Sequence, residues 1–91
     1  MDEIFEGLIV ARLFQIRKFI SFWMVCRSLE TAEYSMESLE NSIFNLAQFP
    51  REEIREHFKH LFQGNLLSLD ANGEVYLTDK GEDFWHIMKK E

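Results

Sequence analysis

Cysteine is almost missing from this chain. Cys26 stands alone, so no disulfide can close within it, and a reducing, cytoplasmic setting is the expectation. A lone cysteine inside an apolar run reads as a small buried hydrophobe. Proline is as scarce: Pro50 is the only one, which leaves no proline-rich linker. The longest uncharged apolar run in the first helical stretch, Phe19 to Cys26, falls far short of the ~20 residues a bilayer needs, so no membrane span is expected. The start carries Asp2 and Glu3 where a secretory leader would carry positive charge, and no signal peptide is expected. Glycine-rich phosphate loops and recognisable nucleophile motifs are also lacking, and no carboxylate pair stands out among sixteen acidic residues. No enzyme and no cofactor is therefore predicted. Basic residues number 10 against those 16 acids, a net charge of −6. Affinity for nucleic acid comes largely from Lys and Arg neutralising phosphate, so an acidic chain needs a local basic patch to bind it.

What is present is apolar and aromatic: 46% hydrophobic residues, nine Phe and two Trp. Residues 1–91 make a single domain, short enough to bury only about two thirds of its unfolded surface, so some of this surplus is expected to meet a partner. Residues 1–30 read as one long helix. Phe5, Ile9, Leu13, Ile16, Ile20, Trp23 and Met24 fall in one sector at helical period and are assigned to the core. Leu8, Ala11, Phe14, Phe22 and Val25 lie on the opposite side, broken by Gln15 and Lys18. One small chain cannot cover both faces unless its last helix wraps around, so Leu8, Phe14, Lys18, Phe22 and Val25 are the predicted homodimer interface.

Two helices follow within 35–64. Ser35 or Ser38 caps the first, which runs to about Leu46 with Leu39, Ile43, Phe44 and Leu46 or Ala47 inward. Pro50 suits the first position of the next, whose inward residues are Ile54, Phe58, Leu61 and Phe62. Gly64 is placed to be the left-handed residue that closes it. Two alternating runs, Leu66 to Asp70 and Glu74 to Leu77, flank Ala71-Asn72-Gly73 and predict a hairpin over 65–78. A two-residue Asn-Gly loop would mix apolar and polar side chains on each face. A three-residue loop with Gly73 left-handed pairs Leu67 with Leu77 and Leu69 with Val75, gathering four apolar residues on one buried face, and is preferred. Thr78 then caps a last helix over 79–91, with Phe84, Ile87 and Met88 inward and Lys89 and Lys90 in its last turn.

Helix, Gly64-Asn-Leu-Leu, strand, Asn-Gly turn and then Tyr76-Leu-Thr-Asp-Lys-Gly81 resembles the recognition helix and wing of winged-helix domains, as in MarR- and PadR-like regulators. The resemblance covers roughly the C-terminal two thirds of the chain. It implies an α+β, mostly α fold: a winged helix-turn-helix with a long N-terminal helix, a two-stranded wing and a C-terminal helix. It also implies a small regulator that binds double-stranded DNA through the helix beginning near Pro50.

On that helix Arg51, Arg55 and Lys59 recur every fourth residue on the side away from Ile54 and Phe58, and are the predicted DNA contacts, with the start of the preceding helix and Arg27 in support. Glu52 and Glu56 are spaced to neutralise Arg55 and Lys59 instead. The hairpin tip, Asp70-Ala-Asn-Gly-Glu74, is acidic where winged-helix DNA binders commonly carry Lys or Arg. That departure motivates the alternative of a protein-interaction module without DNA binding, an adaptor or a DNA mimic. Glu53, His57 and His60 share one side at i, i+4 and i+7, but no further ligand completes a metal site, so they read as ordinary boundary residues. His86 beside Trp85 reads as packing.

Overall fold

The computed structural model describes the backbone of residues 3–90 and the side chains of residues 10–90. Its order is α1 (Glu3–Glu30), α2 (Met36–Ala47), α3 (Arg51–Gln63), β1 (Leu67–Leu69), β2 (Val75–Leu77) and α4 (Asp79–Lys89). This is an α+β arrangement, mostly helical, with one antiparallel two-stranded sheet. It measures 48 × 26 × 24 Å. The long dimension follows from α1, whose 28 residues span about 42 Å at the helical rise. Among the described residues no helix is long and apolar enough to cross a membrane.

The local chemistry sets most boundaries. Ser35 adopts extended backbone and its hydroxyl accepts from Ser38 N–H, starting α2. Pro50 sits one place earlier than predicted: it is the N-cap residue of α3, with φ −55 and ψ 142, and its carbonyl accepts from Ile54 N–H. The left-handed residue after α3 is Asn65 (φ 65), not Gly64 (φ −78). Asparagine tolerates that conformation through its short polar side chain, and the closing bonds Asn65 N–H to Phe62 O and Leu66 N–H to Leu61 O form around it.

The hairpin adopts the three-residue loop. Leu67 faces Leu77, Leu69 faces Val75, Gly73 has φ 77, and Asp70 accepts from the N–H groups of Asn72 and Glu74 through its carboxylate. Leu67 and Val75 are buried and Leu77 half-buried, but Leu69 at the tip faces solvent. β2 gains a second backbone partner, since Val75 N–H donates to Tyr34 O in the connection between α1 and α2 at 2.8 Å.

Thr78 caps α4 by accepting from Gly81 N–H, and its own hydroxyl donates to Asn65 O. Lys80 Nζ donates to Gly64 O at 3.0 Å. A Cβ at Gly81 would lie 2.0 Å from Leu66 O. The Thr78-Asp-Lys-Gly81 stretch is thus a clasp holding the start of α4 against the corner between α3 and β1. Trp85, rather than Ile87, anchors α4: it is buried and donates from its indole to Glu30 Oε1, whereas Ile87 is exposed.

α1 overturns its assignment. The core holds Phe22, Val25 and Cys26 from α1, with Leu39 and Ile43 of α2, Ile54, Phe58 and Leu61 of α3, Leu67, Val75 and Trp85. Phe22 and Val25, assigned to a dimer interface, are 0% exposed inside their own chain. Phe14 is half-buried with its edge toward His57 and His60, and Lys18 Nζ lies over the Phe19 ring. Leu8, Phe5 and Ile9 fall outside the residues whose side chains are described. Leu13, Ile16 and Ile20, assigned to the core, face outward; Trp23 is 44% exposed with its ring edge-on to core Trp85, and Met24 packs against the core. Both faces are apolar, so period alone cannot choose between them. What decides is the fit of Ser21 and Phe22 against α3 and α4. Phe44 and Leu46 of α2 also point outward, leaving Leu39 and Ile43 to fix that helix.

Candidate functional site

The predicted DNA-contacting residues lie on α3, the second member of the α2–α3 pair, and the structure brings two of them, Arg51 and Arg55, to a carboxylate on its partner helix. Arg51 Nη1 donates to Glu40 Oε2 at 2.9 Å, and Arg55 donates to the same carboxylate through Nε at 2.9 Å and Nη2 at 3.4 Å. Arg51 also donates to Asn41 Oδ1 and lies over the Phe44 ring, 4.3 Å from its centroid. Glu40 is only 17% exposed. The Arg55 guanidinium, with Arg51 beside it, holds the Glu40 carboxyl below the usual carboxylate range, and Glu40 in return raises Arg55. The pairs foreseen within α3, Glu52 with Arg55 and Glu56 with Lys59, are not the ones that form; Glu56 instead lies 3.9 Å from His60 Nε2.

Lys59 is exposed, and among the described residues no carboxylate lies within ion-pair distance of it. Arg27 lies over the Trp23 ring at 5.4 Å, away from α3's outer side. The basic stripe is therefore one uncommitted lysine and two arginines sharing a carboxylate, on a helix that also carries Glu52, Glu53 and Glu56. The hairpin adds Asp70 and Glu74, both exposed.

A second cluster joins α1 to α3. Arg17 forms two bonds to Glu53, Nε to Oε2 at 2.5 Å and Nη2 to Oε1 at 2.7 Å, and stacks over Phe49 at 4.3 Å. His57, 0% exposed, places Nδ1 2.7 Å from Ser21 Oγ and Nε2 3.0 Å from Glu53 Oε2. The second approach is close but misdirected, because Glu53 is turned toward Arg17; among the described residues His57 Nε2 is the buried side-chain polar atom left without a well-formed hydrogen bond. A carboxylate at that distance calls for a donor, so the proton belongs on Nε2 and the Ser21 hydroxyl donates to Nδ1.

Serine, histidine and glutamate in sequence of contact have the form of a nucleophilic triad, but Ser21 is 1% exposed and lies in mid-helix against α3, where no substrate carbonyl can reach its oxygen. The cluster's role is to seat α3 on α1. Among the described residues no group of His, Cys, Asp and Glu side chains is arranged to hold a metal ion. His57 was misread as a boundary residue. Its signal was its spacing, since Ile54, His57, Phe58 and Leu61 fall at i, i+3, i+4 and i+7, the inward stripe itself.

Burial lowers the His57 pKa, and the neighbouring Glu53 offsets this only in part. The unfolded chain then takes up this proton before the folded one. Stability present above the ordinary histidine value of about 6.5 is lost as pH falls below it. Glu53, held low mainly by Arg17, and Glu40, held low mainly by Arg55, extend the loss into the carboxylate range. Urea midpoints of the wild type are expected to fall between pH 7 and pH 5, and His57→Gln should remove that segment while leaving the steeper fall at lower pH.

A third feature is apolar. Val10, Leu13, Ile16, Ile20 and Trp23 of α1 are each between 41% and 65% exposed, and Leu46 of α2 beside them is 78% exposed. Ile20, Trp23, Met24, Arg27, Ser28, Leu46 and Ala47 line a groove of about 380 Å³ between α1 and α2. Nothing in the sequence distinguished this stripe as the outer one. No family model, curated protein or solved structure matches the chain.

Proposed function

We propose that this chain is a winged-helix module that acts by binding protein and leaves DNA ungripped. The observation that carries the reading is the exposed apolar face of α1 and α2. Val10, Leu13, Ile16, Ile20, Trp23 and Leu46 are each 41–78% exposed, an apolar patch on the order of several hundred Å², as large as a monomer ordinarily shows in one place. The winged-helix assignment itself draws on the order of elements, the three-residue wing loop and the Thr78-to-Gly81 clasp.

DNA binding is the second reading, and the α2–α3–hairpin layout with an exposed Lys59 speaks for it. Against it stands Glu40. To grip a phosphate, Arg51 and Arg55 would have to leave a carboxylate that both already hold, and α3 and the hairpin would bring four more carboxylates, Glu52, Glu56, Asp70 and Glu74, toward the duplex.

Titration with mixed-sequence duplex at low salt tests the choice. No binding up to micromolar concentration is expected. Binding that weakens steeply with salt, and that Arg55→Ala weakens further, would establish the DNA-binding reading in its place.

A further inference from the structure

The outward side chains of α1 are spaced for another helix. Leu13, Ile16, Ile20 and Trp23 follow one another at intervals of three, four and three residues, the alternation that sets a coiled-coil seam, and Arg27 continues it four residues on. The inward residues Ser21, Phe22 and Val25 lie on the opposite side, so Leu13, Ile16 and Ile20 are open to a partner, and Trp23 shows its outer part beside Trp85 and Arg27. We infer that the seam is covered by the α1 helix of a second copy of this chain, running antiparallel about a twofold axis near residue 18.

Three observations select this occupant and this orientation. The first is self-complementarity, which a twofold interface requires. An axis near residue 18 sets Leu13 against the partner's Trp23 and Ile16 against the partner's Ile20, so every apolar member of the seam meets another. It also brings Val10 and Leu13 of each chain toward the partner's groove between α1 and α2, where Leu46 and Ala47 supply the far wall. The patch is thus a projecting end and a receiving groove in one molecule.

The second is area. A patch of this size covered fully in both copies would bury at most on the order of 1,000 Å², the lower limit for a specific interface. The third is charge. A parallel pair would set Arg27 against the partner's Arg27 within the seam, whereas the antiparallel pair moves the two to opposite ends; Arg17, which it brings near the partner's Arg17, is already neutralised by Glu53. This inference shares with the proposed function only the view that the α1 face binds protein. A monomer would overturn the pairing and leave the question of DNA to the duplex titration.

Sedimentation equilibrium of the 10.9 kDa chain is expected to give a dimer. Ile16→Glu, at an exposed position, should sediment as a monomer with the wild-type circular dichroism spectrum, and Leu46→Glu should raise the dimer dissociation constant at least tenfold. Orientation is read by Leu13→Cys. In the antiparallel pair the two new thiols are separated by about 15 Å along the helices and no disulfide dimer forms on oxidation, whereas a parallel pair would join them. A wild type that stays monomeric up to millimolar concentration, an Ile16→Glu variant that remains dimeric, or ready cross-linking through Leu13→Cys would each overturn the inference.

Discussion

Adding one methyl group at Gly81 is expected to cost the domain about 3 kcal/mol, the upper end of overpacking penalties. The new Cβ would stand 2.0 Å from Leu66 O and 3.0 Å from Leu66 C, and both are backbone atoms that no rotamer change can move aside. Relief requires α4 to draw back from the corner between α3 and β1. That motion strains the Thr78 N–H bond to Leu66 O, the Thr78 hydroxyl bond to Asn65 O and the Lys80 bond to Gly64 O together. Alanine recovers at most ~1 kcal/mol as the better helix former. The measurement is the urea midpoint of Gly81→Ala at unchanged m-value, with Gly73→Ala for comparison. Nothing lies within 4 Å of a Cβ at Gly73, so its only penalty is the positive φ, about 1 kcal/mol. If the two variants lose equal stability, the close approach of α4 to Leu66 is not what holds the clasp.

Phe22→Ala is expected to be more severe still, a loss of about 3–5 kcal/mol, because it opens a cavity where α1 meets the rest of the core. Phe22 is 0% exposed and meets the Phe84 ring edge-on, 5.7 Å between centroids, while Phe84 stacks on Phe19. A domain of this length has only about 5–13 kcal/mol in total, so the melting temperature should drop by roughly 20 °C or the chain should fail to fold. The contrast is Ile16→Ala on the same helix. Ile16 is more than half exposed, and its truncation is expected to change monomer stability by under ~1 kcal/mol. A small effect at position 22 with a large one at position 16 would restore the opposite assignment of the two faces.

That reversal marks where the sequence stopped being readable. Hairpin register was legible because one loop length alone put Leu67, Leu69, Val75 and Leu77 on one side, and the pairing has that register even though Leu69 lies beyond the edge of the core. The Thr78 cap and the inward Ile54, Phe58 and Leu61 were legible for the same reason: a local rule had one answer. On α1 the rule had two. The more continuous apolar stripe was the outer one, while the inner face contains Ser21, a polar residue whose place depends on His57, 36 positions away. The site failed to show for a related reason. Spacing arguments for charges work within one helix, so they offered Glu52 and Glu56 to the α3 cations. Glu40 reaches Arg51 and Arg55 from α2, a neighbour that only the angle between helices supplies.

The bond from Val75 to Tyr34 has a consequence for how this chain associates. An uncovered strand edge is a template on which another backbone can lay itself down, the usual opening for fibre growth and for peptide capture by strand addition. With β1 on one side and the 31–35 connection on the other, β2 is flanked on both sides, and the ladder extends only three residues before Asp70 and Glu74 place charge at its end. At β2, association is thereby moved from main chain to side chain, and recruitment on that side of the domain depends on shape and spacing along a helix.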